Sequence, residues 1–303
     1  MQTGQMGRVI RLLLVGVPLT VQGAGDDSRE QIGPVMRIGA SATLLGSDVN
    51  SNDARAAIKV WCDSFAHETG LRIIYPLDGF SPPELLYQKI RDGQVDAFSF
   101  PLPEYLQIAG YTDSTLLVEE SYVTGGEEYL IVVHAESGLQ RISDLRGRNL
   151  VQFTGNVMCL ASDWLSVLLD AGGLGPPDLY FSQITRSPKA SRTVLPVFFR
   201  QSDACLVTRR VFDTMAEMNP QLAVKLRVIA TSPKLVPVVI AFHKNCSLDQ
   251  KERFRAALGS LGNTPSGRQI LALFSSRQVA VANVSVLASA IDIVNASRRL
   301  RRK

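Results

Sequence analysis

Apolar positions recur along this chain with two periods, and the alternation between them lays out most of its elements. Residues 35–40 (VMRIGA) are a short apolar run ending in Gly-Ala-Ser, the pattern of a buried strand. After a stretch of Ser, Asp and Asn, the residues Ala54, Ala57, Ile58, Trp61 and Phe65 mark one apolar face of a helix, capped by Asn52 or Asp53 and stopped by Gly70. Residues 71–75 predict a second strand. Pro82 and Pro83 open a second helix with Leu85, Leu86 and Ile90 inward, Asp92-Gly93 ends it, and residues 95–100 predict a third strand. This strand-helix order implies a parallel sheet with crossover helices. Residues 129–134 (YLIVVH) form a long apolar strand that leads out of this first lobe.

The pattern then repeats. A turn at Asp144 to Arg148 precedes a strand at 149–153, and a helix follows with Leu160, Trp164, Val167 and Leu168 on one side. Strands are predicted at 180–182, 204–207 and 226–230, with the end of a helix at 194–199. Residues 236–243 (VPVVIAFH) mirror 129–134 and return the chain to the first lobe, where helices are predicted at 249–261, 266–274 and 284–296. The expected organisation is two α/β, Rossmann-like lobes joined by a two-strand hinge. Lobe 1 is discontinuous, 35–130 plus 240–303, and lobe 2 is 131–239.

Composition refines this picture at the chain ends. With 303 residues, 46% hydrophobic and 20% charged, the chain is long enough for two cores and too apolar for wholesale disorder. The net charge of +4 comes from the ends, because Arg8, Arg11 and the five basic residues after Asn295 outweigh an acidic middle. No nucleic-acid-binding face is expected from it. Arg8 and Arg11, an apolar run of about ten residues and the small residues Gly23 to Gly25 read as a signal peptide over residues 1–25, the run being too short to span a bilayer. None of Cys62, Cys159, Cys205 and Cys246 forms a C-x-x-C pair, so no metal site is expected. No H-E-x-x-H, G-x-S-x-G or G-x-x-x-x-G-K pattern is present either.

Ligands of open α/β sheets sit at the carboxyl ends of the strands. This points to the loop from Ser41 to Asn52, to Ser99–Pro101, to Thr208–Arg209, and to Thr154-Gly155-Asn156, a turn expected to open a helix whose free N–H groups suit an anion. Tyr105, after Pro101-Leu102-Pro103, is placed to gate such a cleft. Asp96 and Asp203 hold parallel places before apolar strands. Lys189 is a loop lysine able to neutralise an oxyanion, and Cys159 is the one candidate nucleophile.

The segment DLRGRNLVQFTGN resembles the DLrGk signature of type II periplasmic solute-binding proteins. VLPVFFRQSDACLVTRRVFDTMAEMNPQLAVKLRVIATSP resembles the second-lobe signature of the phosphonate/phosphate-binding branch, and NSNDARAAIKVW and GQVDAFSFPLPEYL fit the same branch. The resemblance covers most of residues 35 to 275. It implies a monomeric, periplasmic protein that captures a small-molecule solute between hinged lobes for an ABC transporter permease, with no cofactor and no catalytic residues, and with Asp203 facing the cleft. The chain departs from that branch in its short Thr154-Gly155-Asn156 turn and in carrying Ser187-Pro188-Lys189 where a His is usual. The expected ligand is therefore a small oxyanion or phosphonate-like solute. A ligand domain read by a membrane sensor such as a receptor kinase is the alternative, and an enzyme on the same fold is the third class.

Overall fold

Two mixed sheets with helices packed on them make up the computed structural model, which describes residues 34–44, 52, 56, 59, 62–63, 71–75, 81–265, 267–268, 271 and 278–302. Strands β1 (Val35–Ala40), β2 (Arg72–Ile74), β3 (Ala97–Pro101) and β4 (Thr112–Glu119) belong to the first sheet. Strands β5 (Tyr129–His134), β6 (Asn149–Phe153), β7 (Gln183–Ser187), β8 (Ala204–Thr208) and β9 (Leu226–Thr231) make the second. Strands β10 (Val238–His243) and β11 (Val279–Asn283) return to the first. The sheet orders are β11-β4-β10-β3-β1-β2 and β7-β6-β8-β5-β9. In the first sheet β1 runs parallel to β2 and β3, while β10 is antiparallel to β3 and β4. In the second, β6 runs parallel to β7 and β8, and β5 is antiparallel to β8 and β9.

The strands follow their predicted runs closely where both faces are covered. All six residues of β5 are buried, as its unbroken apolar run requires. Helix α1 (Pro83–Arg91) buries Leu86 and Ile90 against the first sheet, but Leu85, expected inward, is 44% exposed. Gly39 in β1 lets this helix approach, since a Cβ there would lie 2.7 Å from Leu86 Cδ1. One expectation fails at 180–182. Pro177–Tyr180 forms a helical turn behind Pro176, and the strand begins only at Gln183. Its side chains are largely exposed at the sheet edge, so no apolar run marked it. Strands β4 and β11 were not anticipated either.

Helix α2 (Ala161–Ala171) and helix α3 (Ala190–Phe198) pack on the second sheet, and helix α4 (Arg209–Met218) follows β8. In α2 Leu160 and Trp164 are buried as expected, whereas Val167 and Leu168 are partly exposed and Leu165 and Leu169 point inward. Helix α5 (Leu248–Ser260) covers the first sheet, with Phe254 against Phe242 of β10. The last helix, α6 (Ala288–Leu300), follows β11 yet packs against α2, joining Ile293 and Val294 to the cluster of Trp164 and Leu165. Arg301 pairs there with Asp163.

The chain crosses between the sheets at residues 120–128 and 232–237. The two crossings are bonded to each other, Glu127 N–H to the Leu235 carbonyl at 2.7 Å and Leu235 N–H to the Glu127 carbonyl at 2.9 Å. Gly126 (φ +74°) makes this possible, because a Cβ would meet Lys234 Cβ at 2.8 Å. The expected signal peptide lies outside the described residues. So does most of the helix expected over 54–65, of which positions 56, 59, 62 and 63 are helical, as is position 52 before it. Positions 265, 267, 268 and 271 of the 266–274 region are helical too. Among the described residues no helix is long and apolar enough to cross a membrane.

Candidate functional site

The carboxyl ends of β1 and β3 bring together a small polar cluster. Ser41 follows β1 directly and is fully buried, its N–H donating to the Ser99 carbonyl of β3 at 3.0 Å. Its hydroxyl donates to Glu104 Oε2 at 2.6 Å, and the Thr43 hydroxyl donates to Glu104 Oε1 at 2.6 Å. Pro101 ends β3 and starts the one-turn helix Leu102–Tyr105 that carries Glu104. The Leu102 N–H donates to the Pro237 carbonyl at 2.7 Å, which ties that helix to the entry of β10.

Tyr105 does not gate anything here. Its ring is 2% exposed within the core, its hydroxyl bonds to Thr112 at 3.1 Å, and burial raises its pKa. The helical turn after Pro101 directs it under the sheet rather than over the strand ends. Asn52 is exposed and helical.

The turn after β6 is less helical than its sequence promised. Thr154 N–H donates to the Ser187 carbonyl at 2.9 Å, Asn156 Oδ1 accepts from Val157 N–H at 2.8 Å, and Met158 N–H donates to the Gly155 carbonyl at 2.9 Å. Among the described residues the N–H groups of Gly155 and Asn156 have no hydrogen-bond acceptor. Only a three-residue 3-10 turn, Asn156–Met158, stands here, and α2 starts at Ala161. The expected α-helix dipole is therefore displaced from Thr154-Gly155-Asn156, and what remains for an anion is the pair of free amides. Gly155 is extended (φ 176°), so its conformation does not require glycine, and a Cβ would only touch the Phe153 ring at 3.7 Å. Lys189 is exposed.

Asp203 stands at the opposite, amino-terminal end of the second sheet. Its Oδ2 accepts from Asn149 N–H at 2.9 Å and its Oδ1 lies 3.6 Å from Arg148. This corrects the expectation that it faces the cleft: the residue precedes β8, so it marks the start of the strand and not its ligand-bearing end. Asp96 does the same before β3, where it receives Arg37 N–H at 2.8 Å and the Arg37 guanidinium.

Three residues that the sequence did not single out dominate the region between the sheets. Arg210, in the first turn of α4 and so at the carboxyl end of β8, reaches Glu119 at the end of β4 (2.9 Å) and Glu127 in the crossing segment (3.5 Å). Both carboxylates are buried, with side chains 6% and 4% exposed. Burial raises the Glu127 pKa while the charge of Arg210 opposes the rise. The neighbouring Arg209 pairs with Glu128. The signal was present in Arg209-Arg210 directly after the run ACLVT, where charges at a strand's carboxyl end have to find partners.

A cavity of about 150 Å³ opens beside these groups. Gly39, Ala40, Ser99, Glu119 and Tyr122 line it from the side of the first sheet, and Asn156 and Val157 from the other. Its walls are mostly apolar. Of the residues expected at the site, Ser99 and Asn156 line it. Cys159 is nearby, its thiol donating to the Pro237 carbonyl at 3.2 Å. Burial pushes its pKa up to about 12. All four cysteines are free thiols, and burial raises each of them.

Comparison with known proteins places this geometry. The family described as the periplasmic substrate-binding protein of phosphonate ABC transporters matches residues 47–286. Among curated proteins, none matches the chain. Among solved structures, the chain is similar to a binding protein component of an ABC phosphonate transporter from Pseudomonas aeruginosa. The two share 15% identity and a TM-score of 0.55 over 88% of this chain and 87% of that one. It is similar to PhnD1 of Prochlorococcus marinus, in complex with methylphosphonate, at 15% identity and a TM-score of 0.55 over 89% and 99% of the two chains. A chloride-bound protein from Xanthomonas citri gives 15% identity and a TM-score of 0.60 over 88% and 99%. At such identities these structures speak for the fold, that of the two-lobed type II binding proteins, while the match over residues 47–286 speaks for descent: the chain belongs to the family of periplasmic phosphonate-type substrate-binding proteins of ABC transporters.

Proposed function

We propose that this protein is exported, closes as two lobes around a small oxyanion of the phosphonate class, and hands it as a monomer to the permease of an ABC transporter. The lobes are 35–130 plus 240–303 and 131–239. The β6 turn carries the ligand part of this reading, because Gly155 and Asn156 offer two unengaged N–H donors and Asn156 lines the cavity. In a water-poor cleft each bond from such a donor to a charged acceptor contributes about 1.5–3 kcal/mol. The reading is of a binder and not an enzyme, as the match to a substrate-binding family supports.

One experiment tests the chain of claims. The full-length sequence is expressed in a Gram-negative host and the periplasmic product is weighed, with loss of about the first 25 residues expected. That product is titrated calorimetrically with methylphosphonate, inorganic phosphate and sulfate. Binding of at least one probe is expected, and Gly155→Val should weaken it at least tenfold by standing between ligand and amides. An intact Met1 on a cytosolic product ends the export claim. Binding unchanged by Gly155→Val ends the claim on the turn.

A further inference from the structure

The polar cluster at the end of β1 has the form of a receptor already filled. Two hydroxyls, Ser41 and Thr43, each donate to a different oxygen of one carboxylate, both at 2.6 Å, while their own oxygens lie 2.8 Å apart. Each hydroxyl has one hydrogen, and both hydrogens point at Glu104. Ser41 is a fixed donor. It is fully buried, and its backbone is anchored to β3 through Ser99 and flanked by the Ser81 bonds to Ala40 (3.0 Å) and Ala42 (2.9 Å).

Glu104 is held differently from the other inward carboxylates. Glu119 and Glu127 are paired with Arg210, and Asp96 with Arg37, whereas among the described residues no Lys or Arg pairs with Glu104. It sits on a one-turn helix, part-exposed, at the same end of the sheet as the cavity. Its charge reaches across to the second sheet, contributing to the raised pKa of Cys159, and on its own side to that of Tyr87. A part-exposed carboxylate held, among the described residues, by hydroxyls and by no cation is the member of such a cluster that exchanges most readily, since its bonds are matched by those of any competing anion.

We infer that Glu104 is an internal stand-in for the ligand, its carboxylate occupying the Ser41–Thr43 hydroxyl pair until an entering oxyanion displaces it. The O–C–O edge of a carboxylate and an O–P–O or O–S–O edge present the same two acceptors to the pair. Displacement then sets affinity, because every ligand competes with a tethered anion, and it selects for anions with at least two free oxygens. This rests on the reading of the cleft as an oxyanion site and adds the residue that controls access to it.

The test uses the full chain and three probes, methylphosphonate, inorganic phosphate and sulfate, with chloride matching ionic strength. Glu104→Ala should bind at least one probe tenfold or more tightly than the unaltered protein. Without a probe it should melt lower, since two hydroxyls lose their acceptor, and the probe should restore the loss. Combining Ser41→Ala with Glu104→Ala should remove both the gain and the restoration. Affinity unchanged or weakened in Glu104→Ala, with no extra stabilisation by any probe, overturns the inference. If the unaltered protein binds a probe, loses it through Gly155→Val and is indifferent to Glu104→Ala, the stand-in is wrong and the cleft reading survives. If no probe affects either protein, both fall. Probe stabilisation confined to Glu104→Ala upholds the stand-in and removes these three anions as ligands of the natural chain.

Discussion

Asp113 and Lys251 show what a single charge contact does in this protein. Lys251 on α5 is nearly buried and its ammonium lies 2.6 Å from Asp113 Oδ2 at the start of β4. That bond, with Thr115 N–H on the same carboxylate, holds the Asp113 pKa below its ordinary 3.8. The folded state therefore binds fewer protons here than the unfolded chain does. The stabilisation is fully present above pH 3.8 and is lost as the pH falls through the depressed value. Asp113→Asn should cost about 2 kcal/mol at pH 7, by leaving a buried ammonium without its counter-charge. The difference from the natural protein should shrink steadily in urea melts below pH 3.8. A constant difference across that range would mean that packing, and not charge, is what Asp113 supplies.

At the scale of elements, the two sheets use one joint twice. Asp96 and Asp203 each stand before a parallel strand, accept an N–H from the neighbouring strand (Arg37 and Asn149) and pair with an arginine (Arg37 and Arg148). Asp203→Asn should accordingly lower stability by about 1 kcal/mol in denaturant and leave ligand affinity within twofold, whereas a tenfold loss of affinity would return this residue to the cleft. The matched aspartates were visible in the sequence, but their direction was not, because a residue at a strand boundary can serve either end of the sheet until the strand order is known. The apolar strands β1, β5, β6 and β8 could be read almost to the residue from their runs, β5 and β8 being buried throughout. β4 (TDSTLLVE) begins polar and β11 (VAVAN) is short, so neither carries a clear period. The site was less legible than the fold. Ser41 and Asn156 follow from strand ends, while Glu104 and Arg210 acquire meaning only from partners at least 61 and 83 positions away in sequence.

Across the whole molecule, Arg210 is the point where both sheets and the crossing segment meet. It carries charge from α4 to Glu119 in the first sheet and to Glu127 in the crossing. Arg210→Ala would take from buried Glu119 and Glu127 the cation they share, and a loss of about 3 kcal/mol is expected. The radius of gyration in X-ray scattering should rise as the two sheets separate, and an unaltered radius would show that the crossings and the packing of α6 on α2 hold them without Arg210. Strand order carries a different consequence. β10 lies between β3 and β4, yet the entire second sheet, residues 129–231, is synthesised before it. A ribosome therefore releases β3 and β4 with their facing edges unpaired, completes the contiguous second sheet, and only afterwards supplies the strand that closes the gap. The half of the protein that is made first is finished last. Such long-range closure slows folding and prolongs the exposure of open strand edges to aggregation. Nascent chains ending before residue 238 are thus the species with the greatest need of a chaperone.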